Sequence, residues 1–214
     1  MFMKTAVPVS ALVAYGALAR PWMTRWGATA EEVQMDLPGD DVVAHPDVTA
    51  TRAITVNAST ADVWPWLAQL GQGRGGFYSY ERLENLVGAD IHNADRIVPQ
   101  WQSVEVGAEV RLAPEVVLTA AVVEPGRSLV LRGGVPMGRV PAPYDFTWAF
   151  VLRAGRDGST RLVVRERYGY LRWWAPAIVR PVEVISFVMS LRMLHGIKRR
   201  AQRAVVSAAP GRTR

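Results

Sequence analysis

The stretch that most constrains this chain runs from Pro181 to Val206, close to the C-terminus. At about 100° per residue, Val184, Phe187, Val188, Leu191 and Leu194 share one face. Ile185, Met189 and Met193 lie on the far side and are apolar too. Only a narrow polar stripe is left: Glu183, Ser186 and Ser190. Pro181 suits the first helical position, and Glu183 falls in the first turn, at the positive end of the helix dipole. A helix apolar nearly all round is either buried or in a membrane. Glu183, Arg192 and His195 argue against a span, so the pattern predicts a buried helix. From Lys198 onward Arg199, Arg200 and Arg203 suit solvent and the carbonyl end of the dipole. Something upstream must wrap this helix.

The upstream chain has the parts for a sheet. Thr51 to Asn57 is β-rich and roughly alternating. Ser59 to Asp62 has capping-box spacing and opens a helix carrying Val63, Leu67 and Leu70, with Pro65 expected to kink it or split off its first turn. Gly71 to Gly76 ends that helix, and Ser79 can cap a second one through Leu83, Leu86 and Val87. Runs of strand character follow at Glu109–Leu112, Val116–Glu124, Ser128–Arg132, Phe146–Arg153 and Arg161–Tyr168. Pro-Gly, Gly-Gly and Asp157-Gly158 turn signals separate them, as in an antiparallel meander. The expected fold is α+β: an antiparallel sheet gripping one long C-terminal helix, with two short helices after the first strand.

The chain begins with an apolar segment, residues 1–19. Thr5 to Ala19 carries no charge over fifteen residues. A spanning helix wants about 20 residues and a signal-peptide core about 7–15. We read the segment as an uncleaved membrane anchor, with a cleaved signal peptide as the alternative. Arg20 and Arg25 beside it favour a cytoplasmic domain. Residues 20–48 read as a linker or covering arm, with Thr29 and Glu32 spaced as a capping box. Residues 49–206 form the ligand-binding domain, and residues 207–214 a disordered basic tail.

Several blocks resemble one bacterial branch of the SRPBCC superfamily, the START-like and birch-pollen-allergen-like helix-grip domains that include polyketide cyclase/dehydrase and lipid-transport proteins. They are Trp26-Gly27-Ala28-Thr29, Leu37-Pro38-Gly39-Asp40, VWPWLAQLGQGRGGFYSYERLEN from Val63 to Asn85, Asn93-Ala94-Asp95-Arg96-Ile97, and Leu194-His195-Gly196-Ile197-Lys198-Arg199-Arg200. The resemblance implies about seven antiparallel strands around the C-terminal helix. It is not specific for a function, because that superfamily holds carriers, receptors, cyclases and oxygenase subunits.

Few constellations offer chemistry. Gly71-Gln72-Gly73-Arg74-Gly75-Gly76 matches G-x-G-x-x-G, but a helix precedes it and no parallel crossover follows, so it does not read as a dinucleotide site. Arg74 there could reach an anionic ligand group at a cavity mouth. Among the aromatics, Phe77 and Trp148 read first as core. Trp66, Tyr78, Tyr80, Trp148 and Tyr168 are candidates to line an apolar pocket, with Phe187 and Leu191 from the long helix. Trp173-Trp174 could dip into a membrane interface. Asp90, His92 and Asp95 read as a loop in which Asn93 and Asp95 bond their own backbone, and no metal is expected. Glu81 and Glu84 read as solvated. Glu166 shares a strand face with Leu162, Val164 and Tyr168; Arg165 shares the other with Val163 and Arg167. Either Glu166 is a buried acid needing an arginine partner, with Arg111 and Arg132 as the candidates, or Arg165 points inward and anchors an anionic ligand.

The chain has 214 residues, half of them hydrophobic, enough for a full core. With no cysteine, disulfides, thiolate catalysis and cysteine-held metals are excluded. Net charge is +6 and the pI is near 10.1, but the basic residues are dispersed and accompany no nucleic-acid motif, so no nucleic-acid partner is expected. No cofactor is implied. The expected function is noncatalytic binding or transport of a hydrophobic or amphipathic small molecule, lipids included, between sheet and long helix. The alternatives are a cyclase- or dehydratase-like enzyme using Glu166, Tyr78 or Tyr80 with Arg74 or Arg165, and a membrane-surface or protein-interaction module. Membrane contact would run through the N-terminal segment and the basic tail. The sequence leaves the oligomeric state open.

Overall fold

The computed structural model describes residues 18–136 and 141–208. The expected anchor or signal segment and the expected basic tail lie almost wholly outside them. Two short helices come first, α1 (Arg20–Thr24) and α2 (Ala30–Gln34). Strand β1 (Val48–Val56) leads into α3 (Thr60–Ala68) and α4 (Glu81–Leu86). Then come β2 (Glu109–Ala113), β3 (Val116–Glu124), β4 (Ser128–Gly133), β5 (Tyr144–Ala154), β6 (Thr160–Tyr170) and the 34-residue helix α5 (Ala175–Ala208). The strands form one antiparallel sheet in the order β1-β6-β5-β4-β3-β2, with α5 packed against it.

The fold class is the expected one, but the strand count is six among the described residues rather than about seven. Between β4 and β5, Pro136, Pro141 and Pro143 cannot donate to a ladder. Both capping boxes form. Thr29 and Glu32 close one at α2, and Ser59 and Asp62 close the other at α3. Pro65 lies inside a continuous α3 rather than splitting it. Ser79 does not cap α4; its hydroxyl donates to the Met189 carbonyl and ties the loop to α5.

Helix α5 departs most from the sequence reading. It starts at Ala175, so Pro181 sits within it and leaves the Ala177 carbonyl without its helical donor. Its orientation is also turned. Glu183, Phe187, Ser190, Met193, Leu194 and Ile197 are buried, while Val184, Ile185 and Val188 are exposed. The narrow polar stripe therefore faces inward. The helix periodicity alone could not assign this, because the opposing wall contributes a buried arginine and a buried glutamate that the stripe must satisfy.

Residues 28–45 lie across the other face of the sheet. Leu37 packs there on Ala53, Val151 and Val163. Arg161 holds Glu32 through Nε–Oε1 at 2.7 Å and Nη2–Oε2 at 2.8 Å. Gly196 marks a close crossing: a Cβ there would meet the backbone of Tyr78, so only glycine lets α5 pass that loop.

Candidate functional site

Register decides what the inner face carries. Glu166 stands opposite Ala50 on β1 and Trp148 on β5, and Arg52 opposite Val164. In an antiparallel sheet opposed residues share a face, so Arg52, Glu166, Tyr168 and Trp148 all look toward α5. Arg165 and Thr51 share the outer face.

At the centre is a buried charge network. Arg52 Nη1 donates to Glu166 Oε1 at 2.8 Å, and Arg52 Nε donates to the Met23 carbonyl at 3.0 Å. The Ser186 hydroxyl sits 2.7 Å from both Glu166 oxygens, and Ser190 donates to Oε1 at 3.0 Å. Tyr168 donates to Oε2 at 3.3 Å. Burial, then the Glu166 charge, pushes the Tyr168 phenol well above its ordinary range, so it stays a neutral donor. The inward serines of α5 thus solvate the carboxylate that the arginine neutralises. Sequence reasoning asked for an arginine partner to Glu166 and considered Arg111 and Arg132. Both lie elsewhere, Arg111 on Glu109 and Arg132 near Asp145. Arg52 was readable only as a residue of the first strand.

Beside this network lies a cavity of about 220 Å³ between sheet and helix. Its wall is mostly apolar: Phe77, Leu112, Tyr144, Phe146, Val182, Met189 and Met193 join Trp148 and Tyr168. Glu166, Ser186 and Ser190 form one polar edge and Ser79 and Glu84 contribute elsewhere. Glu84 is a correction: it does not simply point into solvent. Its Oε2 is buried without a hydrogen-bond partner among the described residues. Burial first, and the Glu81 carboxylate second, push it up to about 7. The indole Nε1 of Trp148 is likewise buried and unpartnered among the described residues.

Of the nine candidates, Trp148 and Tyr168 line this cavity. Arg165 does not: on the outer face its guanidinium binds Thr51, Asp40 and the carbonyls of Glu32, Val33 and Met35. That is structural pinning of the arm, since its donors are committed to protein acceptors. Arg74 is also turned inward, onto the carbonyls of Ala68 at 2.9 Å and Trp101 at 2.6 Å. Trp66 and Tyr78 pack edge to face at 5.7 Å, and the Tyr78 hydroxyl donates to the Trp66 carbonyl. Tyr78 has φ 59°, a conformation costing about 1 kcal/mol or more for a non-glycine residue. The Asn93 side chain accepts its N–H there, and Arg200 stacks 4.7 Å from its ring. Tyr80 is exposed under Arg192. Phe187 meets Trp22 and Arg52 instead of the cavity, and Leu191 is half-buried outside its wall.

The Asp90–Asp95 loop also differs from its reading. Asn93 accepts from Tyr78, and Asp95 pairs with Arg200 at 3.0 Å, so both join elements rather than capping their own turn. Exposed His92 lies 3.5 Å from Glu81 and 3.3 Å from Asp90. Among the described residues no helix is long and apolar enough to cross a membrane.

No family model matches the chain, and no curated protein does. Solved structures do. Protein MLL2253 from Mesorhizobium loti aligns at 15% identity and TM-score 0.46, over 73% of this chain and 98% of that one. Hypothetical protein jhp0584 from Helicobacter pylori aligns at 10% and 0.46, over 78% and 96%. The Zhui aromatase/cyclase from Streptomyces sp. R1128 aligns at 15% and 0.44, over 77% and 99%. Likenesses this distant assign no activity to this chain, and its function rests on the site's own geometry.

Proposed function

We propose that this protein binds a compact hydrophobic or amphipathic small molecule in the cavity between the sheet and α5, without transforming it. The observation that carries this is the cavity's make-up: about 220 Å³ walled by aromatic, methionine and aliphatic side chains, beside a charge network that is internally satisfied. The volume lies below the roughly 300–1,000 Å³ usual for drug-sized ligands, which favours a compact molecule. Burying about 200 Å² of apolar ligand surface contributes about 5 kcal/mol before ordering costs. The catalytic set considered from sequence does not converge: Arg165 is on the outer face, Arg74 and Tyr78 are spent on carbonyls, and Tyr80 is exposed.

Native mass spectrometry of the full chain from its own host, followed by denaturing extraction, tests this. A stoichiometric apolar molecule is expected, and Met189→Trp, which fills the cavity, should remove it. Protein that carries nothing and takes up no small apolar probe would refute the proposal, as would a bound molecule indifferent to Met189→Trp.

A second reading, contact with an anionic membrane surface, is favoured by one feature. Val184, Ile185 and Val188 form an exposed apolar strip on α5, preceded by exposed Leu171 and Trp173 and flanked by Arg172 and Arg180. Salt-sensitive sedimentation with anionic vesicles, lost in Ile185→Glu/Val188→Glu, would support it. Equal sedimentation of wild type and variant would remove it.

A further inference from the structure

A second concavity, an open cleft of about 550 Å³, lies between α4 and the C-terminal half of α5 and shares only Ser79 with the cavity above. Four arginines line it: Arg82 from α4, and Arg192, Arg199 and Arg200 from α5. Helical spacing brings the last three together. Arg192 and Arg199 stand about two turns apart on one face of α5, and Arg200 is the next residue.

The rest of the wall is mostly committed. The Tyr78 hydroxyl donates to the Trp66 carbonyl and the Ser79 hydroxyl to the Met189 carbonyl. Asn93 accepts from the Tyr78 N–H and donates to the Ser79 carbonyl. Both carboxylates are engaged: Glu81 accepts the Asn93 N–H and lies 3.5 Å from His92, and Asp95 pairs with Arg200 at 3.0 Å. Leu83 and the exposed Tyr80 complete the wall, with Arg192 5.5 Å above the Tyr80 ring.

Arg82, Arg192 and Arg199 form no ion pair among the described residues. A single exposed arginine needs none, because water serves it. Four guanidinium groups around one concavity repel one another, and a bound anion would remove that repulsion. The crowding reaches Arg200. Burial first lowers its pKa, Arg199 and Arg203 add to this, and Asp95 opposes it.

We infer that this cleft is a binding site for a phosphate group, carried either by a soluble phosphomonoester or by a phospholipid headgroup. A guanidinium fork donates paired N–H groups to an oxyanion. A tetrahedral phosphate presents enough oxygens for several forks at once, whereas a carboxylate fills one.

The test uses the full chain at low salt. Glycerol 3-phosphate is titrated by calorimetry, and sedimentation is measured with phosphatidylcholine vesicles with and without phosphatidic acid. Both probes present the same phosphomonoester, so the two arms separate a soluble source from a lipid one. Arg82→Gln/Arg199→Gln removes two exposed side chains that tie no elements together, so folding is preserved. It should weaken whichever probe binds by at least about tenfold. A charge-matched control, Arg127→Gln/Arg156→Gln in the β3–β4 and β5–β6 turns, should change binding by less than about twofold. Arg192→Lys keeps the charge but loses the fork, and should still weaken binding. Acetate should not compete. Ile185→Glu/Val188→Glu, which tests the membrane reading, should leave glycerol 3-phosphate binding unchanged, so the two readings fail separately. Binding of neither probe overturns the inference. So does a control that weakens binding as much as Arg82→Gln/Arg199→Gln, or acetate that competes as well as phosphate.

Discussion

The Arg52–Glu166 pair offers the sharpest test of how this fold is held together. Both side chains are almost wholly buried, and the contact is 2.8 Å. Unit charges about 4 Å apart attract by about 4 kcal/mol at an effective dielectric of about 20. Desolvation offsets much of this, so the pair's net contribution is modest, but removing one partner strands the other. Arg52→Met leaves Glu166 with only the Ser186, Ser190 and Tyr168 hydroxyls, and should cost about 3–5 kcal/mol. Glu166→Leu strands a guanidinium whose remaining bonds are to the Met23 carbonyl and, weakly, Ser190, and should cost about as much. The double variant replaces the pair by apolar side chains and should cost far less than the sum, with a coupling of about 3 kcal/mol. Urea denaturation followed by tryptophan fluorescence reads all four proteins, at a common slope with denaturant. Single-variant costs that add within about 0.5 kcal/mol would refute the reasoning, because independent groups cannot be a charge pair in a dry interior.

Other outcomes follow from the same geometry. Ser186→Ala, which takes a hydroxyl from Glu166, should cost about 1.5–3 kcal/mol, whereas Ile185→Gln on the exposed side should change stability by less than about 0.5; the opposite order in thermal melts would mean α5 is turned the other way. Gly196→Ala drives a methyl into the Tyr78 backbone and should lower Tm by about 4–8 °C, for a cost of about 2 kcal/mol. Glu84 titrates near 7 when folded and near its ordinary ~4.3 unfolded, so the folded state holds the extra proton between those values. Its contribution is full below ~4.3 and lost as pH rises through 7; discounted for solvent screening at the partly open rim, the loss is about 1–2 kcal/mol, and Glu84→Gln should shrink the stability difference between about pH 5 and about pH 8 by that amount in denaturation curves.

The elements were legible where local chemistry specifies them. Ser59 and Asp62 announce the start of α3, Asp157-Gly158 the turn between β5 and β6, and each later strand appears within about two residues of its sequence bounds. The site was legible only in part. Glu166 could be named as a possible buried acid, and Trp148 and Tyr168 as pocket aromatics. Arg52 was passed over and Glu84 read as solvated because nothing within a few residues of either signals burial. Glu84 is reached only when α4 folds against the rim of the cavity, and Arg52 finds Glu166 from 114 positions away.

What the amino-acid order determined by itself is therefore the list of parts: period-2 runs, capped short helices and one long apolar helix. Those follow from interactions across a few residues, which the chain carries wherever it goes. Which face looks inward was decided only by tertiary structure. The strand alternation at Arg165 and Glu166 admits both choices, and so does a helix that is apolar on most sides. Closing the sheet on α5 resolves both at once, because a buried carboxylate needs an arginine and hydroxyls around it. Ser186 and Ser190 can supply the hydroxyls only if the polar stripe of α5 turns in and leaves Val184, Ile185 and Val188 outside.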